Sequence, residues 1–159
     1  MIHMRIHSLN VDATNNQPVV ILRDPESSRL LPIWIGHAEA TAILLELQRV
    51  HAPRPMTHDL LFNVIRELGY RVERVEITRL EDSTFYADLI LMADGKTVTI
   101  DARPSDSIAL AVRANASIAV AEDVLDAAGL TPDEEYDEEA EVDRFRDFLE
   151  NVNPQDFLS

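Results

Sequence analysis

The chain changes from strand to helix within the stretch Asp101-Ala102-Arg103-Pro104-Ser105-Asp106-Ser107-Ile108-Ala109-Leu110-Ala111-Val112-Arg113. An alternating apolar run ends at its first residue, and apolar residues at helical spacing begin at Ile108. So abrupt a change leaves backbone N–H groups pointing outward at the helix start. Ser105 and Asp106 are residue types that cap or complement such a start, and Pro104 suits the first helical turn. The stretch therefore predicts a capped helix with charged groups gathered at its junction with a strand.

An earlier segment has the same order of residue types. Residues 54–60 (Arg-Pro-Met-Thr-His-Asp-Leu), like residues 103–108, run from Arg-Pro through a hydroxyl and an acid into an apolar helix. Because a helix N-terminus attracts anions and arginine adds a bidentate phosphate ligand, two such starts that converge would form a small anion clamp. The competing interpretation is that each is a capped helix whose arginine pairs with the nearby acid, since surface ion pairs are common and individually weak.

His58 and several acids add candidate chemistry to these two segments. Neutral imidazole serves as a general base or as a metal ligand, although a solvated histidine in a first helical turn is the alternative. Carboxylate oxygens are the ligands that magnesium and manganese prefer. Metal-assisted phosphodiester hydrolysis uses such carboxylates to hold the ion and activate water. The pattern predicts a divalent cation site, Mg²⁺ or Mn²⁺, held by Asp101 and Asp106 with Glu39 or Asp59.

Hydrophobic periodicity predicts an α+β fold. We expect a mixed, mainly antiparallel twisted sheet of about six or seven strands, two main helices packed against it and a C-terminal helical tail. Strands are predicted at residues 2–9, 18–22, 30–35, 70–80, 84–92, 97–100 and 118–120. Helices are predicted at about 37–50, 57–68, 104–115 and 122–128, and in an amphipathic tail segment at 142–152 that follows an acidic linker. The second helix has an apolar side that we expect to pack on the sheet, made of Leu60, Leu61, Val64, Ile65 and Leu68.

Four local signals refine this prediction. Pro32 places the third strand at a sheet edge, and the three-residue step between Val72 and Val75 indicates either a bulge or a late strand start. Asp-Gly at residues 94 and 95 is typical of a tight hairpin. Trp34, the single tryptophan, lies on a predicted strand and is therefore expected in the core.

Length and composition limit the class of protein. The 159 residues suit one domain with an appendage, which we place at residues 1–130 and 131–159. No cysteine is present, so disulfides, thiolate zinc sites and a cysteine nucleophile are excluded. No apolar run approaches the roughly 20 residues of a membrane span, and residues 1–5 lack a signal-peptide core. We therefore expect a cytoplasmic protein with no membrane partner.

The net charge of −15 is unevenly distributed. Residues 122–159 carry 14 acids and two bases, whereas residues 1–121 are nearly balanced at a net charge of −3. This balance excludes a large basic face for nucleic acid, because sequence-independent affinity rests on many basic contacts to phosphates. It is compatible with a small site that acts on phosphates.

Four segments resemble, in their order, those of a known family. They are Leu-Pro-Ile-Trp-Ile-Gly at 31–36 with Glu39 and Ala40, residues 54–60, Phe-Tyr-Ala at 85–87, and residues 101–111. Over residues 1–130 the chain is similar to the bifunctional nuclease family. The resemblance implies a compact α+β domain and a nuclease that acts on both RNA and DNA with a divalent cation.

The resemblance also implies a set of site residues. We assign catalysis to His58, Asp59, Asp101 and Asp106, phosphate binding to Arg54, Thr57, Arg103, Ser105 and Arg113, and metal binding to Asp101, Asp106 and Glu39.

The sequence leaves three functional hypotheses. The first is a metal-dependent phosphodiesterase with RNA or DNA as substrate, and we expect it to be a homo-oligomer. The second is a non-enzymatic, homodimeric binding or regulatory module in which the polar cluster is a structural ion-pair network. The third is a domain that binds a small anion or a nucleotide at the two helix starts.

Overall fold

The computed structural model describes residues 1–131 of the chain. Within this range the strands are β1 (Ile2–Val11), β2 (Pro18–Arg23), β3 (Leu30–Trp34), β4 (Arg71–Glu81), β5 (Thr84–Ala93), β6 (Lys96–Ala102) and β7 (Ser117–Val120). The helices are α1 (His37–Leu47), α2 (Thr57–Glu67), α3 (Pro104–Ala114) and α4 (Glu122–Ala128). The predicted acidic linker and tail helix lie outside the described residues.

The sheet consists of two antiparallel meanders joined by the last strand. Its order is β3-β2-β1-β7-β4-β5-β6, so that β3 and β6 form the edges. The short strand β7 pairs antiparallel with β1 and parallel with β4. The predicted class is confirmed: an α+β fold with a mixed, mostly antiparallel sheet of seven strands. The helical layer has three helices of 11 residues, where the sequence indicated two main ones, and the shorter α4.

Several local predictions are also confirmed. Pro32 lies on the edge strand β3. Proline has no backbone N–H to donate, and this loss is tolerated on an edge strand because the strand pairs with a neighbour in the sheet on one side only. The β4–β5 register shifts between Val72 and Arg74, at the predicted bulge. Gly95 has a φ of +80° in the turn between β5 and β6, a conformation that glycine adopts at low cost. Helix α1 ends at Leu47 instead of Val50, because Arg49 takes the left-handed conformation with a φ of 56°.

Two predictions of burial are wrong. Trp34 is 44% exposed, because its side chain lies on the open side of an edge strand whose neighbours Ile33 and Ile35 point inward. On the apolar side predicted for α2, only Ile65 is buried. The remaining residues of that side are 41–71% exposed, and they are Leu60, Leu61, Val64 and Leu68. The reason is that α2 packs mainly on α3 and touches the sheet chiefly at β4, which leaves most of this side uncovered within residues 1–131.

Helix α3 lies at the centre of the helical layer and positions the site. It contacts α1, α2 and three strands of the sheet, and its Ile108 and Leu110 are at most 1% exposed. Arg103 is the single residue between β6 and α3. Its backbone is therefore fixed on one side by the sheet and on the other by a buried helix. No helix within residues 1–131 has the length and apolar character required to cross a membrane.

Candidate functional site

The two helix starts that the sequence singled out lie side by side. His58, in the first turn of α2, has its Nε2 atom 2.8 Å from Oδ1 of Asp106 in the first turn of α3. The two residues are 48 positions apart in the chain, and His58 is only 9% exposed. A buried imidazole requires a hydrogen-bond partner. The Asp106 carboxylate supplies it across the helix–helix contact.

Arg103 extends this contact to helix α1. Its Nε donates to Oδ2 of Asp106 at 2.9 Å, and its Nη2 donates to Oε1 of Glu39 at 2.7 Å. Hydrogen bonds from Arg103 to Glu39 and then to Asp106, with the charge of Asp106, raise the pKa of the guanidinium. Glu39, Arg103, Asp106 and His58 thus form one continuous set of contacts, which we call the polar chain. The ion pair between Arg103 and its nearby acid is the contact that the competing interpretation predicted.

These contacts change the role expected of Asp106. Helix α3 has Arg103 as its N-cap residue and no side-chain cap, with Pro104 at its first position. The Asp106 carboxylate uses Oδ1 toward His58 and Oδ2 toward Arg103. Next to a guanidinium a carboxylate acts as an acceptor, so we assign the proton to Nε2 of His58. The lone pair of the ring then lies on Nδ1, as in a histidine that is oriented by a carboxylate for proton transfer.

Arg113 and Asp59 form a second, more structural pair. Arg113 Nε donates to Oδ1 of Asp59 at 2.8 Å, and its two terminal nitrogens donate to the backbone carbonyls of Ala109 and Ala42. Only 6% of the Arg113 side chain is exposed. Burial alone would raise the pKa of Asp59, but the hydrogen bonds from Arg113 and from the Met56 N–H lower it overall. These contacts support a role for Arg113 in joining α1, α2 and α3, and its role in phosphate binding stays a prediction.

A cavity of about 630 Å³ opens beside the polar chain. Its volume is within the usual range of small-ligand sites, about 300–1,000 Å³. The polar lining consists of Glu39, Thr41, Thr57, His58, Asp101, Arg103, Asp106, Ser107 and Arg113. The apolar lining includes Leu61, Ile65, Leu89, Ile100 and Leu110. The cavity can therefore hold a ligand that has both a charged part and an apolar or aromatic part.

The remaining predicted residues are distributed around this cavity. Thr57 lines the cavity. The N-cap residue of α2 is Met56, whose backbone N–H donates to the Asp59 carboxylate at 3.0 Å. Asp101 is exposed at the end of β6 and lines the cavity. Ser105 is buried and lies on a neighbouring groove instead. Arg54 is exposed and is not among the residues that line the cavity. The roles of Arg54 and Ser105 in phosphate binding stay predictions.

The three acids assigned to a metal do not fit a site held by protein side chains alone. Glu39 and Asp106 both bind the Arg103 guanidinium, which neutralises their charge. Among residues 1–131 no group of three or more His, Cys, Asp or Glu side chains is placed to hold an ion. Mg²⁺ is often bound by one or two carboxylates together with waters and substrate phosphates. The divalent cation therefore stays a prediction, in which Asp101 is the acid without a guanidinium partner among the described contacts.

Comparison with known proteins identifies the family. The bifunctional nuclease domain matches residues 20–133 of this chain. The chain belongs to the bifunctional nuclease domain family. A Mycobacterium tuberculosis protein named as uncharacterized is 46% identical over 161 residues, which cover 97% of this chain and 96% of that relative.

Plant members of the bifunctional nuclease family are more distant and longer. Bifunctional nuclease 2 of Oryza sativa is 30% identical over 123 residues, which cover 75% of this chain and 38% of the rice protein. Bifunctional nuclease 1 of Arabidopsis thaliana is 28% identical over 107 residues, covering 65% of this chain and 33% of that protein. The chain thus corresponds to about a third of the length of these plant relatives.

Two features of this bifunctional nuclease domain were missed in the sequence. The periodicity of α2 predicts an apolar side that packs on the sheet, but Leu61 and Ile65 of that side line the cavity. The exposure of Trp34 was missed because a tryptophan on a strand is usually buried. Its place on a strand already predicted to be an edge was the available signal.

Replacing Arg113 is expected to destabilise this bifunctional nuclease domain strongly. Arg113→Met leaves Asp59 without its cation and two backbone carbonyls without their donors, which should lower the free energy of unfolding by about 2–4 kcal/mol. Urea denaturation followed by circular dichroism measures the change. The matched control is Arg71→Met, since Arg71 is an exposed arginine on β4 and its loss should cost less than about 0.5 kcal/mol. Equal effects of the two substitutions would contradict the structural role of Arg113.

The Asp59 carboxylate is expected to make the free energy of unfolding depend on pH. Its pKa is lower in the folded state than the usual 3.8, so its stabilisation is present above that value and is lost as the pH falls through the folded pKa. Asp59→Asn should therefore be less stable than the natural protein at pH 7, and the difference should shrink in acid. Urea denaturation over a pH series measures it. When Arg113→Met is also present, Asp59→Asn should lower the free energy of unfolding at pH 7 by less than it does in the natural protein. If the effect of Asp59→Asn in the natural protein grows as the pH falls, the assignment is refuted.

Proposed function

We propose that the protein is a phosphodiesterase that hydrolyses RNA and DNA at the cavity beside the polar chain. The observation that carries the proposal is the 2.8 Å contact between His58 and Asp106 at the cavity wall. A histidine oriented by a carboxylate is the usual arrangement for general acid–base catalysis. The names of the plant relatives support nucleic acid as the substrate class.

His58 moves the proton in the proposed reaction. The water oxygen forms a bond to phosphorus while one ester P–O bond breaks, and Nδ1 of His58 accepts a proton from the water. The imidazolium then gives this proton to the leaving oxygen, so that the histidine is restored. Asp106 holds the ring through Nε2 and stabilises the positive charge that develops on it.

Arg103 is the phosphate-binding residue that the geometry favours. Its guanidinium contacts use Nε and Nη2, and 65% of its side chain is exposed. A phosphate oxygen can therefore reach the remaining donors from the cavity. Glu39 and Asp106 orient the guanidinium, as a rigid arginine binds phosphate at a lower entropic cost than a mobile one.

Loss of the proton-transfer pair should abolish turnover. We expect His58→Gln and Asp106→Asn each to lower the cleavage rate of a labelled single-stranded oligonucleotide about 100-fold or more. The matched control is His3→Gln on β1, since His3 is an exposed histidine away from the cavity. Circular dichroism and melting temperature show whether each variant folds. Folded variants that cleave at the natural rate would refute the proposal.

The divalent cation is tested separately in the same assay. Removal of metal with EDTA should abolish cleavage, and Mn²⁺ or Mg²⁺ should restore it, if the cation prediction is correct. Cleavage that persists in EDTA but still depends on His58 would overturn the cation prediction and leave the role of His58 in place.

A second candidate is a non-enzymatic homodimeric module. It is favoured by exposed apolar residues of the α2 region and of β6, which we call the α2–β6 face and which are 36–71% exposed: Leu60, Leu61, Val64, Leu68, Val98 and Ile100. Leu61 and Ile100 line the same cavity, which connects the helix to the edge strand. Large exposed apolar patches mark interaction sites, and an unpaired edge strand is a further site for pairing between chains.

Self-association through the α2–β6 face can be measured directly. Sedimentation velocity of the full chain should give a dimer, and the double variant Val64→Glu, Leu68→Glu should give a monomer because it places charge in the apolar contact. Arg66→Gln on the same helix serves as the control and should stay dimeric. A natural protein that is monomeric at tens of micromolar would exclude this surface as a dimer interface.

A further inference from the structure

A second, smaller groove lies on the other side of Arg103. Its volume is about 250 Å³, and it is bordered by the end of β3, the β4–β5 turn and the start of α3. Its walls include Trp34 and Phe85, with Gln17, Ser83 and Thr84 as polar neighbours. Arg103 lines this groove and also the cavity beside the polar chain. The two spaces therefore share Arg103, and we call the smaller one the Trp34 groove.

Trp34 is held in place without being buried. Its Nε1 donates to Oδ2 of Asp12 at 2.8 Å, while 44% of the residue is exposed. Asp12 is fixed in turn by Thr14, whose backbone N–H and hydroxyl both donate to Oδ1. These hydrogen bonds, those from Thr14 first, lower the pKa of Asp12 and keep it an ionised acceptor. The indole ring is thus anchored at its polar edge.

The exposed position of Trp34 on the edge strand forgoes a source of stability. Burying an aromatic side chain is among the larger favourable contributions to a core, and the adjacent Ile33 and Ile35 are at most 4% exposed. A large ring that is both exposed and fixed has the properties of a stacking surface. Every nucleobase has a face that stacks on an aromatic side chain, which makes such surfaces typical of sites for single-stranded nucleic acid.

We propose that Trp34 and Phe85 bind one unpaired nucleobase next to the phosphate held by Arg103. This inference rests on the proposed function and names its substrate class, single-stranded RNA or DNA. A groove of about 250 Å³ is smaller than a whole-ligand site and suits one ring system. A base inside a duplex is stacked on its neighbours and is inaccessible to the groove.

The charges around the groove favour one orientation of the bound nucleotide. Asp12 is negative and lies at the indole edge, so it repels a phosphate there. Arg103 is the cation of the groove lining and borders the main cavity. The base therefore lies toward Trp34, and the phosphate lies toward Arg103 and His58. Gln17, Ser83 and Thr84 supply donors and acceptors for the edge of the base.

The single tryptophan of the chain provides a direct readout. Titration of the inactive His58→Gln variant with an oligothymidylate of about six nucleotides should quench Trp34 fluorescence in a saturable manner. An abasic strand of the same length should bind without the quenching, and a blunt duplex should not compete. An abasic strand that binds as tightly as the oligothymidylate would overturn the inference.

Substitution of Trp34 tests the same contact through affinity. Because stacking of one base contributes about 1–3 kcal/mol, Trp34→Ala should weaken binding of a fluorescein-labelled oligothymidylate about 5- to 150-fold by anisotropy. Trp34→Phe should recover much of the affinity and also guards against a folding defect. Tyr86→Leu is the control, since Tyr86 packs on Arg79 and is not part of the groove lining. A folded Trp34→Ala variant with affinity within twofold of the natural protein would overturn the inference.

The outcome separates this inference from the proposed function. Base-dependent binding that needs Trp34, in a protein whose cleavage does not depend on His58, would retain the base site and refute the catalytic proposal. If cleavage depends on His58 but binding does not depend on Trp34, the catalytic proposal is retained and the base site is refuted.

Discussion

Arg113 donates hydrogen bonds to three places at once: the Asp59 carboxylate on α2, the Ala42 carbonyl on α1 and the Ala109 carbonyl one turn earlier on α3. A buried guanidinium is tolerated only when its donors are satisfied. The position of α2 relative to α3 is therefore restricted to arrangements that bring Asp59 to Arg113. His58 is adjacent to Asp59, so the same restriction brings its ring to Asp106. The contact proposed for catalysis depends on this structural one.

The polar chain has two consequences that oppose each other. Glu39 and Asp106 hold Arg103 in one orientation, which favours binding of a phosphate in a defined position. The same two carboxylates repel a phosphate, and Asp101 adds a third negative charge at the rim of the cavity. A divalent cation would offset this excess of negative charge. The balance explains how a chain with a net charge of −15 remains compatible with a small phosphate site but not with a large nucleic-acid surface.

Much of the fold was predictable from local signals. The hairpin at Gly95, the bulge after Val72 and the edge position of Pro32 follow from backbone preferences that act over a few residues. The order of the strands was not predictable, because β7 enters between two meanders and pairs with strands that are distant in sequence. The predictions that the apolar side of α2 and Trp34 are buried were wrong for a related reason. An apolar residue is buried only if another element covers it, and a local pattern does not show which element does so.

By itself the sequence determined the strands and helices of the domain, the residue types of the candidate site and the resemblance to bifunctional nucleases. The pairing of Arg103 with a nearby acid was one of the two interpretations that the sequence left open, and the structure shows it with Asp106. Only the tertiary structure decided that His58 contacts Asp106, that Glu39 reaches Arg103 across 64 positions, and that Arg54 and Trp34 stay exposed. The physical reason is that periodicity and capping act within one element, whereas a site between elements depends on the order of the sheet and on which helices pack together.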